Sequence, residues 1–329
     1  MHDLIGNNSA HYNGVTNLES LFPGAGTLRK FHSQPICQTL PPPLGHGPIS
    51  KRKTRRRQGR PIMANDQRFS SKVLIGLLIT ALATLLAGCM MQKAPPMAGT
   101  YEGPPVKVGQ GVARSFVTIA ADGMPATIGI RLSEGALSGL PVEPPAGSDG
   151  YEYALELPPE AAGTGYKQIG LDWNPKGHIP VGVYDKPHFD FHFYMIAPDV
   201  RSKITAVGDD LARAHLAPPA EFMPTGYILP PGTEVPDMGA HAIDPNADEF
   251  TKKSFTKTFI YGFYDGKMIF IEPMITKAYL ETKPTVHVSV AVPKKYSRPG
   301  WYPTQYGIRY DDVHREYEIT LENLMAAKQ

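Results

Sequence analysis

PHFDFHFY, residues 187–194, is the most regularly alternating stretch of the chain. Successive side chains of a β-strand point to opposite faces, so three phenylalanine rings would share one face and the polar residues the other. The polar set is His188, Asp190, His192 and Tyr194. Rings of this size belong against a core, whereas imidazole and carboxylate groups bind metal ions or transfer protons. The pattern therefore predicts a strand that separates a core from a candidate metal site.

The sequence on both sides of this strand is also typical of β-structure. Further strands are predicted at 115–119, 126–131, 151–157, 256–264, 267–275, 286–292 and 315–321, and short helices at 133–140, 200–215 and 276–283. Asp265-Gly266 separates two of these strands and is a strong signal for a two-residue hairpin. Prolines between the elements indicate loops. We expect a mainly β fold, a single β-sandwich or barrel-like domain with a few short helices, over residues 109–329.

The hairpin at Asp265-Gly266 bears on Glu272. In a regular two-residue hairpin Tyr264 faces Lys267, so Phe259 faces Glu272 and the carboxylate shares a side with aromatic rings. A buried carboxylate is costly unless it is paired or bound to a cation. Glu272 is therefore interpreted as a metal ligand, an acid of raised pKa, or a residue at the rim of the sheet.

Geometry limits how the candidate ligands combine. Same-side residues of a strand are about 6.6 Å apart, so Asp190 can share an ion with either neighbouring histidine, directly or from the second coordination sphere. His188 and His192 can share one ion only if the strand bends or bulges between them, and we expect such a curved strand. Two glycine-containing segments, GHIP at 177–180 and PDMGAH at 236–241, supply further histidines. The predicted metal ligands are His178, His188, Asp190, His192, His241 and Glu272.

Other roles are predicted for some of the remaining polar residues and for two residues of the predicted strands. Glu272 and Tyr194 are the candidates for proton transfer in catalysis. Three histidines are expected to have structural roles only, namely His215, His287 and His314. A nucleophile elbow, a phosphate-binding loop and a dinucleotide-binding glycine motif are all missing from the sequence. Ligands without sulfur favour Zn, Mn, Fe or Ni, and copper is also a candidate if Met238 or Met274 lies near the site.

An apolar run, VLIGLLITALATLLAGC at 73–89, follows two basic residues and ends in Leu-Ala-Gly-Cys. This ending resembles the lipobox of bacterial lipoproteins, in which the cysteine, here Cys89, is acylated and becomes the new N-terminus. An uncleaved membrane anchor is the alternative, but the run is shorter than the ~20 apolar residues of a spanning helix. Residues 63–88 are thus predicted to be a signal peptide and 89–108 a tether. Met90 after the cysteine favours the outer membrane, with the domain facing the periplasm.

Residues 1–62 form a doubtful leader, because signal peptides stand at the true N-terminus and Met63 is a suitable start. Residues 1–88 carry 11 basic and 3 acidic residues, whereas the remainder carries 22 and 28. The predicted mature protein is therefore mildly acidic, which argues against nucleic acid as a partner. The chain has two cysteines, Cys37 and Cys89, so the domain beyond the lipobox contains no thiol.

Three segments together resemble an uncharacterised family of bacterial exported proteins and lipoproteins. They are GHIPVGVYDKPHFDFHFYM, PDMGAH and FIYGFYDGKMIFIEPM, and the resemblance spans roughly residues 108–285. The family includes a Thermus protein of an extracytoplasmic-stress (sigma-E) regulon. The resemblance implies a related fold, export and formation of a homo-oligomer, but it supplies no established reaction.

Three functional hypotheses follow from the sequence. In the first, a lipid-anchored envelope protein binds a divalent metal through histidines and carboxylates for storage, sensing or structure. In the second, the same site activates a metal-bound water, and the protein is a periplasmic enzyme. In the third, the protein is a metal-free envelope scaffold with structural histidines. The coordination sphere distinguishes them, because an enzyme needs an open position facing a cleft.

Overall fold

The computed structural model describes residues 96–251 and 253–327. The first strands of this part are β1 (Gly99–Glu102), β2 (Val106–Val108), β3 (Gly111–Ile119), β4 (Pro125–Ser133), β5 (Tyr151–Leu155), β6 (Gln168–Asn174), β7 (His188–Tyr194) and β8 (Glu234–Val235). They are followed by β9 (Gly239–Ala242), β10 (Lys257–Tyr264), β11 (Lys267–Thr276), β12 (Thr285–Ser289), β13 (Gly300–Tyr302), β14 (Gln305–Asp311), β15 (Glu316–Glu322) and β16 (Met325–Ala327). The predicted signal peptide, lipobox and leader lie outside the described residues, whereas the last part of the predicted tether forms β1 and β2, which pair with β3.

The strands form two large antiparallel sheets. One has the order β1-β3-β4-β15-β14-β12, with β2 paired to β3, and the other has the order β5-β6-β7-β11-β10-β9-β8. Strands β13 and β16 make a small separate pair. The prediction of a mainly β, sandwich-like or barrel-like fold with few short helices is confirmed.

The two large sheets share one apolar core. Val117, Ile130 and Ile319 come from the first sheet, and Phe191 and Phe193 of β7 come from the second. All five side chains are buried. The phenylalanine face of β7 therefore packs between the sheets, as the alternation predicts, and the opposite face points away from this core.

The helical segments are single turns. The α-helical ones are Pro198–Arg201, Leu211–Ala214 and Lys277–Glu281, and the 3-10 turns are Glu134–Leu137, Pro159–Gly163, Gly208–Asp210, Ala220–Phe222 and Asp248–Phe250. The prediction of one helix over 200–215 is wrong. Ala206 and Gly208 have left-handed backbone angles, and the Asp210 carboxylate accepts hydrogen bonds from the amides of Thr205 and Ala206. This local turn competes with a continuous helix. Among the described residues, none forms a helix long and apolar enough to cross a bilayer.

The hairpin of β10 and β11 contains a bulge that the sequence analysis did not anticipate. Its turn is as predicted, with Tyr264 opposite Lys267, but Phe263 pairs with Met268 and Gly262 with Phe270. The extra residue, Ile269, shifts the register so that Glu272 lies opposite Ile260 and not Phe259. The expectation that Glu272 shares the aromatic core side is therefore wrong. The bulge turns its carboxylate to the face that carries the β7 histidines.

Candidate metal centre

The first ligand cluster forms around Asp190 in the middle of β7. Nε2 of His188 lies 3.1 Å from Asp190 Oδ1, and Nε2 of His178 lies 3.3 Å from Oδ2. Asn174 of β6 donates a hydrogen bond of 2.6 Å to the same Oδ2. Ligand atoms of the two histidines and Asp190 all lie within 4.8 Å of one another. This cluster therefore has the size of a metal site.

The second cluster lies two residues further along β7. Nε2 of His192 is 3.4 Å from Glu272 Oε1, and Nε2 of His241 is 3.9 Å from Glu272 Oε2. The register of β7 and β11 brings Glu272 beside His192, because Ile271 pairs with Phe193. Ligand atoms of these three residues also lie within 4.8 Å of one another. The structure thus contains a second group of metal-site size.

Gly262 and Phe270 bring the two imidazoles of the second cluster together. A Cβ on Gly262 would lie 2.0 Å from the Phe270 ring, so only glycine leaves room for this ring on the face of β10. The ring centroid of Phe270 lies 4.9 Å from that of His192 and 5.3 Å from that of His241. Edge contacts of this kind fix the orientation of both imidazoles.

The histidines are held so that their Nε2 atoms face the carboxylates. A backbone carbonyl can only accept a hydrogen bond, so a ring nitrogen bound to one must carry the proton. The Nδ1 atoms of His178, His188 and His241 contact the carbonyls of Ile179, Lys186 and Thr233 at 2.8, 2.6 and 2.8 Å. Nδ1 of His192 instead lies 3.1 Å from the Asp172 carboxylate. Such outer partners are typical of metal-binding histidines, whose other nitrogen is then free to bind the ion.

The distances within the clusters are also those of ligands around a shared cation. A bond between a charged nitrogen donor and a carboxylate is about 2.7–2.9 Å long. Tetrahedral ligands at about 2.0–2.1 Å from an ion are about 3.3–3.4 Å apart. Within the described residues, Asp190 Oδ1, His192 Nε2 and Glu272 Oε2 are buried and have no hydrogen-bond partner. The approach of 3.1 Å in the first cluster and those of 3.4 and 3.9 Å in the second bracket this spacing, so each cluster can surround one ion.

Electrostatics couples His192 to its carboxylates. Burial alone would lower the pKa of His192, but the charges of Glu272 and Asp172 outweigh it and raise the pKa to about 9. Burial raises the pKa of Glu272 to about 8, and nearby Asp190 adds to the shift. Burial also raises the pKa of Asp172. The second cluster therefore holds protons at neutral pH that a metal ion would displace.

The first cluster shows the same competition. Burial would lower the pKa of His178, but the hydrogen bond and charge of Asp190 raise it to about 9. Burial would raise the pKa of Asp190, but the charges of His188 and His178 hold it well below its usual range. His241 differs, because burial lowers its pKa to about 4. Its imidazole is therefore neutral at pH 7 and already in the state that binds metals.

Both clusters border one cavity of about 560 Å³. The charged side chains that line it, apart from histidines, are Asp149, Glu152, Asp172, Asp190, Asp237 and Glu272. Among the described residues, neither lysine nor arginine lines this cavity. Glu152 is paired with Arg201, and the other carboxylates concentrate cations once the protons on His178 and His192 are displaced. The cavity is thus suited to admit metal ions.

The structure distributes the six predicted ligands over two clusters. His188 and His192 do not meet at one ion, because β7 continues as a strand between them. Tyr194 is fully buried next to His192, with ring centroids 5.4 Å apart, but it does not line the cavity. The three histidines expected to be structural contact acidic side chains, namely Glu234 for His215, Glu322 for His287 and Asp311 for His314.

Sequence reasoning missed Asp172 and Asn174, which contact the ligands from β6. The signal was present, because QIGLDWN at 168–174 alternates in the same manner as β7. Its apolar residues Ile169 and Leu171 lie in the core, and the polar ones lie beside the histidines. Residue pairing places Asp172 opposite Asp190. A polar face on one strand therefore predicts a matching face on its neighbour.

A protein-family model, TTHB210-like (Hypothetical protein TTHB210), matches residues 121–173. The chain is similar to this Thermus family over that segment, which runs from the turn before β4 into β6 and includes Asp172. None of the six predicted ligands lies inside the matched segment. Searches among curated proteins and among solved structures found no match.

Proposed function

We propose that the β-domain binds divalent transition-metal ions at two sites within the acidic cavity. The observation that carries the proposal is that, in each cluster, two Nε2 atoms converge on one buried carboxylate with an oxygen that has no hydrogen-bond partner among the described residues. Unpaired buried polar groups are costly, and a cation coordinated between them removes that cost. Each site offers two imidazoles and one carboxylate, a set suited to Zn, Mn, Fe or Ni.

Copper is a further candidate in this proposal because two thioethers, those of Met238 and Met274, line the cavity. Met274 is buried, lines the cavity and pairs across the sheet with Asp190. Soft sulfur ligands favour Cu(I). Binding assays should therefore include Cu(I) under reducing conditions beside the divalent ions.

A metal-dependent enzyme is the second candidate, and the number of ligands favours it. Each cluster provides three protein ligands, and catalytic zinc sites have three protein ligands plus one position for water or substrate. The shared cavity gives that fourth position access to a small molecule. A metal bound there would lower the pKa of a coordinated water. Storage, sensing and structural roles require only that the ions bind.

Equilibrium dialysis of the purified, chelator-treated protein against Zn²⁺ tests the proposal. We expect two ions per chain and a higher unfolding temperature in their presence. An ion at a free concentration one hundred times its Kd stabilises the folded state by about 2.7 kcal/mol. For a domain of this size that corresponds to about 5–10 °C. If Zn²⁺, Mn²⁺, Fe²⁺, Ni²⁺ and Cu(I) neither bind nor shift the transition, the metal-free scaffold is the better account.

We further propose that the protein is exported and anchored through a lipid on Cys89 to the outer membrane, facing the periplasm. The support is the sequence alone, with basic residues before an apolar run that ends in Leu-Ala-Gly-Cys. The homo-oligomer expected from the family resemblance likewise stays a prediction. In a Gram-negative host, Cys89→Ala should move the protein out of the outer-membrane fraction and abolish labelling by radioactive palmitate. Membrane association that survives this substitution would favour the uncleaved anchor instead.

A further inference from the structure

A second cavity, of about 400 Å³, shares no lining residue with the acidic one. Its walls are the segment 164–167 before β6, Met195 after β7, Lys267 at the start of β11, and the segment 297–302 that includes β13. The charged side chains that line it are Lys167, Lys267 and Arg298. All three are cationic, and no lining residue is acidic. This cavity has the opposite electrostatic character to the metal cavity.

Arg298 is exceptional among the arginines of the described chain. Six others have a carboxylate oxygen within 4.0 Å, namely Arg114, Arg131, Arg201, Arg213, Arg309 and Arg315. Arg298 alone among them has no such partner within the described residues, and its buried Nε–H has no acceptor there. Arg298 as a whole is partly exposed, but a guanidinium has only donors, so a buried N–H without an acceptor leaves it incompletely satisfied. An anionic acceptor would complete it.

Two lysines and one tyrosine of the same cavity also have no protein partner for their polar groups. Lys167 and Lys267 are exposed to solvent and make no ion pair within the described residues, although the chain after the predicted signal peptide has more acidic than basic residues. Tyr166 is 2% exposed, and its hydroxyl is buried without a hydrogen-bond partner. Water solvates the two lysines, but the three positive charges at one concave wall, with no carboxylate among them, make a site that attracts anions.

The wall that carries Arg298 is held in place by its own contacts. The hydroxyl of Tyr302 donates to the Arg298 carbonyl at 3.0 Å, and the Tyr302 ring stacks on Tyr296 with centroids 3.6 Å apart. The amide of Trp301 donates to the Thr164 carbonyl at 2.8 Å, which ties the two walls together. A preformed site loses little conformational entropy when it binds a small ligand.

We propose that this second cavity binds a small oxyanion, a carboxylate or a phosphate, between the Arg298 guanidinium and the two lysines. Arginine suits this ligand class because its planar fork matches the paired oxygens of such anions. The proposal does not depend on the metal sites, which lie in a different cavity.

Tryptophan fluorescence can report binding, because the chain has two tryptophans and, of these, only Trp301 lines the cavity. Trp173→Phe leaves Trp301 as the sole source of tryptophan fluorescence. The protein, stripped of metal on a chelating resin, is titrated with sodium phosphate, with sodium acetate and with sodium chloride at matched ionic strength. We expect a saturable fluorescence change with phosphate or acetate and none with chloride. The anion that gives the response shows whether the site binds a phosphate or a carboxylate.

Variants in this background decide the assignment. Arg298→Gln should lower the affinity for the anion that gives the fluorescence change by roughly tenfold or more, as expected for loss of a charged hydrogen bond. The double variant Lys167→Ala/Lys267→Ala should also lower this affinity. An unchanged unfolding temperature shows that a variant is folded. Lys294→Ala, at an exposed lysine outside the cavity, is the matched control and should bind as before. No saturable response to either oxyanion, or equal affinity in Arg298→Gln, would overturn the proposal.

Discussion

His192→Ala is expected to lower the metal content from two ions per chain to one, and His188→Ala to do the same at the other site. Each substitution removes one of three protein ligands from one cluster and leaves the other cluster intact. The double variant should bind none tightly. The expected loss at the altered site is at least about 100-fold in affinity, since even outer-sphere changes at metal sites cost about 10–100-fold. Equilibrium dialysis with elemental analysis measures both quantities.

The matched control for these substitutions is His287→Ala. This histidine pairs with Glu322 at 2.6 Å on the other sheet, away from both clusters, and its loss should leave two ions bound. Circular dichroism and unfolding temperature without metal identify variants that fail to fold. If His188→Ala and His192→Ala remove the same single ion, the two clusters form one site and the assignment of two is wrong.

The affinity for metal is expected to rise steeply between pH 7 and pH 9. His178 and His192 each have a pKa raised to about 9, so both are protonated at pH 7, and an ion must displace one proton in each cluster. Each displaced proton makes the apparent affinity rise about tenfold per pH unit until the pH reaches the pKa. An ordinary histidine with a pKa of about 6.5 would give almost no change over this interval.

Calorimetry in buffers of different ionisation enthalpy counts the protons released at pH 7. At least one proton per ion is expected at each cluster, and at the second cluster His192 and Glu272 titrate as a pair that holds it. His178→Ala should remove the proton release that belongs to the first cluster. A flat affinity between pH 7 and pH 9 with no proton release would show that these imidazoles are already neutral.

The alternating pattern of β7 was enough to predict its two faces. The Phe189, Phe191 and Phe193 side chains needed a core, and period-two alternation then fixed the direction of His188, Asp190 and His192. The sequence could not predict which of the candidate ligands would lie in the same cluster. It depends on which strands become neighbours, and His241 reaches the site only because β9 joins the edge of β10.

Glu272 shows the limit of local sequence patterns. The two-residue turn forms as predicted, but the ladder beyond it is not regular, as the prediction assumed. Nothing in MIFIEP at 268–273 reveals that Ile269 is left out of the pairing. A bulge of this kind depends on packing against both neighbouring strands, and here the carbonyl of Ile269 accepts a hydrogen bond of 2.7 Å from Met195 beyond β7.

The bulge also determines where this hairpin can change length during evolution. A chain that lost Ile269 would regain a regular ladder with Glu272 still opposite Ile260, because the omitted residue has no partner on β10. A chain that lost Ile271, two positions later, would reverse every side chain beyond it and send the carboxylate into the sandwich interior. Relatives of this protein that keep the second cluster should therefore vary in length on the turn side of Phe270 and not beyond it.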